Sequence, residues 1–185
     1  IINVETDKII PIDGQNRGSG ASINSDPVQS KYRKSSIENQ TNTSVSNGLR
    51  RGKVLPDGTP KQQYLHAFDL LKKRDFVNAA RSLRAFVEKN PKHELAGNAM
   101  YWLGETYYDQ QKYAKAARIF LDGYRRYPKS KKAPDNLLKL GKALNSVGEK
   151  KSACATWSKL LRDYPKAGTR LLRNAQNSVK RNKCS

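Results

Sequence analysis

From Lys61 to the C-terminus, apolar residues return every three or four positions, the spacing of a single buried helix face. Polar residues fill the other faces, and Pro and Gly fall between the periodic stretches. The pattern also repeats as a block. Ala67, Gly104 and Gly141 are 37 residues apart, as are Leu70, Tyr107 and Leu144, and Ala79, Ala116 and Ala153. Leu83, Phe120 and Trp157 keep that step, and so do Pro91, Pro128 and Pro165. Five columns on one period of this length mark an array of stacked units.

Each unit divides into two helices. In the second unit the pattern predicts helices over residues 96–110 and 113–127. Gly104 falls in the middle of the first, where it costs about 1 kcal/mol against Ala. Close approach of the facing helix compensates, with Ala116 on that helix and Tyr107 and Phe120 filling the surrounding space. Tyr127-Pro128 ends the hairpin, because a residue before Pro avoids helical angles, and Pro134 starts the next helix at a position where a missing N–H costs nothing. A last helix, about 168–182, carries Leu171, Leu172, Ala175 and Val179 on one side and covers the end of the array. The expected fold is all-α: three hairpins over about 60–93, 97–130 and 134–167, then the capping helix.

Residues 1–59 read differently. They are rich in Ser, Asn, Gly, Thr and Gln, their one aromatic is Tyr32, and no period is sustained. Such a segment buries too little apolar surface to offset its ordering entropy, so a disordered tail is expected. Asp57-Gly58-Thr59-Pro60 is a turn and helix-start signal and places the boundary of the repeat domain, 60–185. No run of about 18 apolar residues exists, so no membrane-spanning helix is expected. The chain starts at Ile1, which fits a leader already removed.

Charge sharpens the division. The formal net charge is +20. The first 59 residues hold eight Lys and Arg against six acids, and the remainder holds 28 against 10. The folded part is the basic part. A basic surface attracts nucleic acid, anionic lipid, acidic protein or an anionic wall polymer, or simply keeps the chain soluble. Lys and Arg concentrate at Arg125-Arg126, Lys129, Lys131-Lys132, Lys139 and Lys150-Lys151, which reads as a basic link between units two and three. Nucleic-acid modules pair a basic path with free stacking aromatics or a docking helix. Here the aromatics are committed to the repeat, so a solvated or wall-facing surface is preferred over nucleic acid.

Catalytic chemistry has little support. No Cys-x-x-Cys occurs, the two histidines (His66 and His93) stand in different contexts, and no nucleophile elbow or strand-borne phosphate loop is present. Glu88, Glu94, Glu105 and Asp109 are surrounded by Lys and Arg. No enzyme activity, cofactor or metal site is expected.

The order Leu103-Gly104, Tyr107, Ala116, Phe120, Pro128 resembles the tetratricopeptide pattern. Leu140-Gly141, Leu144, Ala153, Trp157 and Pro165 repeat it, and His66-Ala67, Leu70, Ala79, Leu83 and Pro91 repeat it more weakly. The segments Tyr64-Leu65-His66-Ala67-Phe68-Asp69-Leu70-Leu71, Asn98-Ala99-Met100-Tyr101-Trp102-Leu103-Gly104-Glu105-Thr106-Tyr107-Tyr108, Ala133-Pro134-Asp135-Asn136-Leu137-Leu138-Lys139-Leu140-Gly141 and Ala153-Cys154-Ala155-Thr156 further resemble the C-terminal domain of the Tol-Pal-associated cell-division coordinators. That resemblance covers roughly 61–184. It implies a periplasmic adaptor that binds the Tol energy-transducing protein and a bifunctional peptidoglycan synthase, coupling septal wall synthesis to outer-membrane constriction. Family members also carry a trimerising N-terminal coiled coil. No sustained apolar heptads precede residue 60, so a trimer is expected only if such a coil exists outside this chain. The competing assignments are another tetratricopeptide envelope adaptor, of the outer-membrane assembly type, and a basic nucleic-acid-associated protein.

In this repeat class one stripe of each first helix faces a concave groove. Tyr101, Glu105 and Tyr108 share that stripe at i, i+4, i+7. Tyr64, Phe68 and Leu71 match it in the first unit, and Leu138, Lys142 and Asn145 in the third, with Asn98 and Asp135 at the edge. Trp102 stands beside the stripe. Aromatic groups on a concave face anchor a bound peptide, although Tyr101, Trp102 and Tyr108 equally fit packing between hairpins. Glu105 at the centre argues against the Lys/Asn clamp that some relatives use for a C-terminal carboxylate. In a periplasm, Cys154 and Cys184 form a disulfide that staples the capping helix to the array; the alternative is one buried thiol and one loose terminal one.

Overall fold

The computed structural model describes residues 53–184. Most of the expected tail, residues 1–52, lies outside the described residues. Seven helices follow in order: α1 Pro60–Lys72, α2 Phe76–Lys89, α3 Ala96–Asp109, α4 Tyr113–Arg126, α5 Ala133–Ser146, α6 Lys150–Asp163 and α7 Thr169–Arg181. No strand occurs among the described residues.

The first helix starts where its sequence says it should. The Thr59 hydroxyl accepts from the Gln62 amide, and the Gln62 side chain accepts from the Thr59 amide at 2.8 Å, closing a capping box ahead of Pro60. Packing nevertheless begins upstream of that signal. Leu55 is buried, Ser82 donates its hydroxyl proton to the Val54 carbonyl (2.8 Å), and Gln63 Nε2 donates to the Pro56 carbonyl (3.0 Å).

The three hairpins turn at the same register. Arg74 (φ 61°), Gln111 (φ 58°) and Gly148 (φ 85°) are successive 37-residue equivalents, and each occupies left-handed backbone. That geometry reverses the chain in the few residues between helices. In the first hairpin Asp75 then caps α2, accepting from the Asn78 amide at 3.2 Å. Lys112 and Glu149, its equivalents, make no side-chain cap.

Within each hairpin the contact column decides how near the helices lie. The Phe120 ring covers Gly104 and the Trp157 indole covers Gly141. In the first unit the larger Ala67 faces the smaller Leu83; both are fully buried. Residue sizes at the two positions compensate, as close packing requires. Trp157 Nε1 also donates to the Leu138 carbonyl at 3.3 Å, so its polar edge is satisfied inside the core.

Between hairpins the links repeat as well. Tyr127 and Tyr164, each before Pro, close their helices, and the Tyr164 hydroxyl donates to the Pro128 carbonyl of the preceding link (3.1 Å). Each helix packs on its neighbours in sequence, and the odd-numbered helices also touch one another: α1 with α3, α3 with α5, α5 with α7. The backbones of the even-numbered helices stand farther apart, and Lys159 of α6 reaches over the Tyr124 ring of α4 (5.8 Å to its centre) to bridge them. Crowding on one side and splaying on the other bends the array, with α1, α3, α5 and α7 on the inner face. The last turn of α7 is tied down covalently: Cys184, just beyond it, is bonded to Cys154 of α6, with Cα atoms 5.5 Å apart and a sequence separation of 30.

Candidate functional site

The inner face is built from one stripe of each odd helix, and the 37-residue step aligns the stripes into rows. Tyr64, Tyr101 and Leu138 form the deepest row, only 9%, 8% and 7% exposed. They fill the seams between neighbouring hairpins. Tyr101 packs its ring near Phe120 (6.1 Å between centroids) and edge-on to Trp102 (5.1 Å). Its hydroxyl donates to Glu105 Oε2 at 3.2 Å. Burial, and then the negative charges of Glu105 and Asp135, hold that hydroxyl protonated well above the ordinary tyrosine range. Burial pushes the Tyr64 hydroxyl up in the same way.

The row beside it is more open. Phe68 stacks parallel to Tyr64 (6.3 Å) and lies 5.0 Å from Trp102, so Tyr64, Phe68, Trp102 and Tyr101 make one continuous aromatic surface across α1 and α3. Phe68, Leu71, Trp102 and Tyr108 are each half-buried. Leu65, the first-unit equivalent of Trp102, is 50% exposed and extends the apolar floor. Sequence reasoning missed Leu65, although the repeat step pointed to it.

Past the aromatics the floor becomes ionic. Glu105 reaches across from α3 and pairs with Lys139 of α5 at 2.5 Å. Both side chains are largely shielded from water, so the pair is a fixed feature of the floor and not a surface ion pair. The Lys139 ammonium also stands 5.2 Å from the Tyr108 ring centre, and Tyr108 meets Tyr113 edge-on (5.0 Å). Sequence reading had grouped Lys139 with the basic link. It lies instead in the second turn of α5, on the groove. Lys132 is the link residue that turns inward: it pairs with Asp135 (3.2 Å) and caps the Tyr101 ring at 4.7 Å.

Lys142, Asn145 and Tyr108 line a cavity of about 380 Å³ that is closed on its far side by α7. Burial, and then the charge of Lys139, lower the Lys142 pKa; Glu105 acts the other way and Arg181 adds to the lowering. Arg181 carried no signal in the sequence, since nothing local says that the capping helix contributes to the inner face. Asn98 opens instead onto a second cleft of about 610 Å³ at the link, shared with His93, Tyr127 and Lys129.

His66 is exposed, and His93 packs edge-on against Phe86 (5.9 Å) while its Nδ1 accepts from the Leu95 amide. Among the described residues no group of three or more His, Cys, Asp or Glu is arranged to hold a metal ion. No helix among them is long and apolar enough to cross a membrane. The arrangement offers a concave face with an aromatic end, an ionic centre and a basic end.

Comparison with known proteins places this geometry. Residues 64–131 match one tetratricopeptide-repeat family model and residues 135–167 match a second, together more than half of the chain. Over 52 residues the chain is 46% identical to the cell division coordinator CpoB, in two sequences from Pseudomonas putida; the stretch covers 26% of this chain and 19% of that protein. The chain thus spans about a fifth of the length of the curated relatives it matches. It belongs to the tetratricopeptide-repeat family, and its repeat domain is similar to that of the cell division coordinators.

Proposed function

We propose that the protein is a non-enzymatic periplasmic adaptor of the Tol-Pal system, which coordinates septal peptidoglycan synthesis with outer-membrane constriction during cell division. On this reading the inner face holds a segment of the Tol energy-transducing protein or of a bifunctional peptidoglycan synthase, and the basic outer surface lies toward the anionic wall. The observation that carries the binding role is the continuous aromatic surface of Phe68 and Trp102 on a concave, partly open face. Half-buried aromatics with rigid neighbours supply large contact area at small entropic cost, the properties of binding anchors. The similarity to a cell division coordinator supports the cellular role, and the disulfide suits an oxidising compartment.

The test is a titration of the full chain with the periplasmic part of the Tol energy-transducing protein, with Trp102→Ala and Tyr108→Ala alongside. Tyr101 is unsuitable because its removal would open the seam between hairpins. Binding by the wild type and loss in both folded variants is the expected result. Binding unaffected by either substitution removes the groove from the proposal, and a folded wild type that does not bind removes the named partner.

A further inference from the structure

We infer that residues 1–13 of this same chain dock into the cleft between α2 and α4, on the outer side of the array where the even-numbered helices stand apart. The inference is independent of the groove and of the proposed partners. The cleft has a volume of about 400 Å³ and a floor of Phe76, Val77, Ala80, Ala85 and the Tyr107 side chain. Arg81, Arg84, Lys112 and Lys115 rim it, and Glu88 is the one acid in its lining among the described residues.

The floor is apolar for no reason that the repeat imposes. Phe76-Val77 opens α2, whereas the 37-residue equivalents are Tyr113-Ala114 and Lys150-Lys151. Val77 is 67% exposed, so nothing in the array covers it. An exposed apolar patch with a charged rim marks a docking surface. The course of the chain points to the occupant. It enters the described structure at this cleft: Val54 is part of the lining, Leu55 is buried, and the Ser82 hydroxyl donates to the Val54 carbonyl at 2.8 Å. Everything upstream is thereby tethered to the rim. Within that upstream chain, charge and hydropathy select one segment. Residues 1–13 hold Ile9, Ile10 and Ile12, with Glu5, Asp7 and Asp13 against one Lys8. Residues 14–52 hold six basic residues against two acids and match the rim in sign. Three isoleucines build no core alone, but a preformed floor needs only to be covered. The cations also converge where acids would arrive. Lys115 stands 4.2 Å from the Tyr107 ring centre. Burial raises the pKa of the Tyr107 hydroxyl, but the Arg84 and Lys115 cations beside it outweigh burial and lower it. A tether of about 40 residues between Asp13 and Val54 gives an effective concentration on the order of 1 mM, so even weak docking is populated.

The test uses the full oxidised chain with isotope-labelled isoleucine, leucine, valine and alanine methyl groups. Nuclear Overhauser contacts from Ile9 or Ile10 to Val77 and Ala80 are expected. Val77→Asp changes an exposed side chain, so it should abolish those contacts while the core signals of Leu137 and Leu144 stay in place. Ile9→Ser with Ile10→Ser should empty the cleft. A synthetic peptide of residues 1–13 titrated onto that variant should then shift Val77 and Ala80. Glu5→Gln, Asp7→Asn and Asp13→Asn together in the peptide should weaken it about fivefold or more, the loss of three ion pairs at a partly exposed rim. Added salt should weaken the acidic peptide more than the neutralised one.

Ile9 and Ile10 signals at random-coil positions, unmoved by Val77→Asp, would overturn the docking. A scrambled peptide of the same composition that binds as well as the native order would reduce the effect to general attraction between charges and overturn it too. Equal binding by the neutralised peptide would remove the charge complementarity on which the choice of segment rests. Mixing differently labelled copies separates the last case. Contacts seen only between copies would give the cleft to a second chain and overturn the intramolecular arrangement; contacts within one copy that persist on dilution support it.

Discussion

The Phe120 ring rests on the backbone of Gly104 so closely that a Cβ added there would come within 2.3 Å of Cε1. The first hairpin solves the same contact with Ala67 and Leu83. Gly104→Ala should therefore destabilise by about 1–3 kcal/mol, the cost of overpacking a filled core. Combining it with Phe120→Leu should recover part of that loss, giving a coupling of at least about 0.5 kcal/mol in a double-mutant cycle read by denaturant unfolding. Simple additivity would mean that the two positions do not share the contact.

The turn register offers the opposite sign. Gln111 sits at φ 58°, where an L side chain is disfavoured and where the third hairpin has Gly148. Gln111→Gly should stabilise by up to about 1 kcal/mol, since relief of the left-handed strain exceeds the entropy that Gly adds to the unfolded chain. Gln110→Gly, one residue earlier at a negative φ of −82° that any L residue adopts, should destabilise and serves as the control. Thermal midpoints of the two variants settle the comparison.

Reduction of the Cys154–Cys184 bond releases a 30-residue loop. Loop-closure entropy puts the loss at about 3–4 kcal/mol. It should fall mainly on α7, and hydrogen exchange under reducing conditions should rise first at Ala175 and Ser178, which are buried only by this helix's docking. Uniform loss of protection across all seven helices would instead make the array a single cooperative unit.

Alkaline pH should weaken the fold through its buried tyrosines. In the unfolded chain a tyrosine titrates near 10. Tyr64 and Tyr101 hold their protons to higher pH in the folded state. The unfolded state then loses protons first, so this contribution is complete below about pH 10 and is lost as pH rises above it. Denaturation midpoints measured from pH 8 to 11 should fall less steeply in Tyr101→Phe, which keeps the ring and removes the titrating group. Parallel slopes in both proteins would exclude Tyr101 as a source.

The amino-acid sequence by itself determined the architecture. Helix identity, hairpin length and the packing columns are all written in which residues recur every 37 positions, because each unit buries the same face against the same neighbours. The stripe Tyr101, Glu105, Tyr108 was legible for that reason, as one face of one helix. What those residues do there was decided only in three dimensions. Tyr101 sinks into a seam while Trp102, next to it in the chain, stays at the surface, since burial depends on the angle between successive hairpins and not on helical spacing. The left-handed turns at Arg74 and Gln111 were hidden because neither is glycine. Lys139, assigned by composition to a basic link, faces Glu105 across the groove, and Arg181 completes a cavity 39 residues along the chain from Lys142. A local pattern specifies which face of a helix is buried, but the charges that meet on that face come from helices far apart in sequence, and only their packing brings them together.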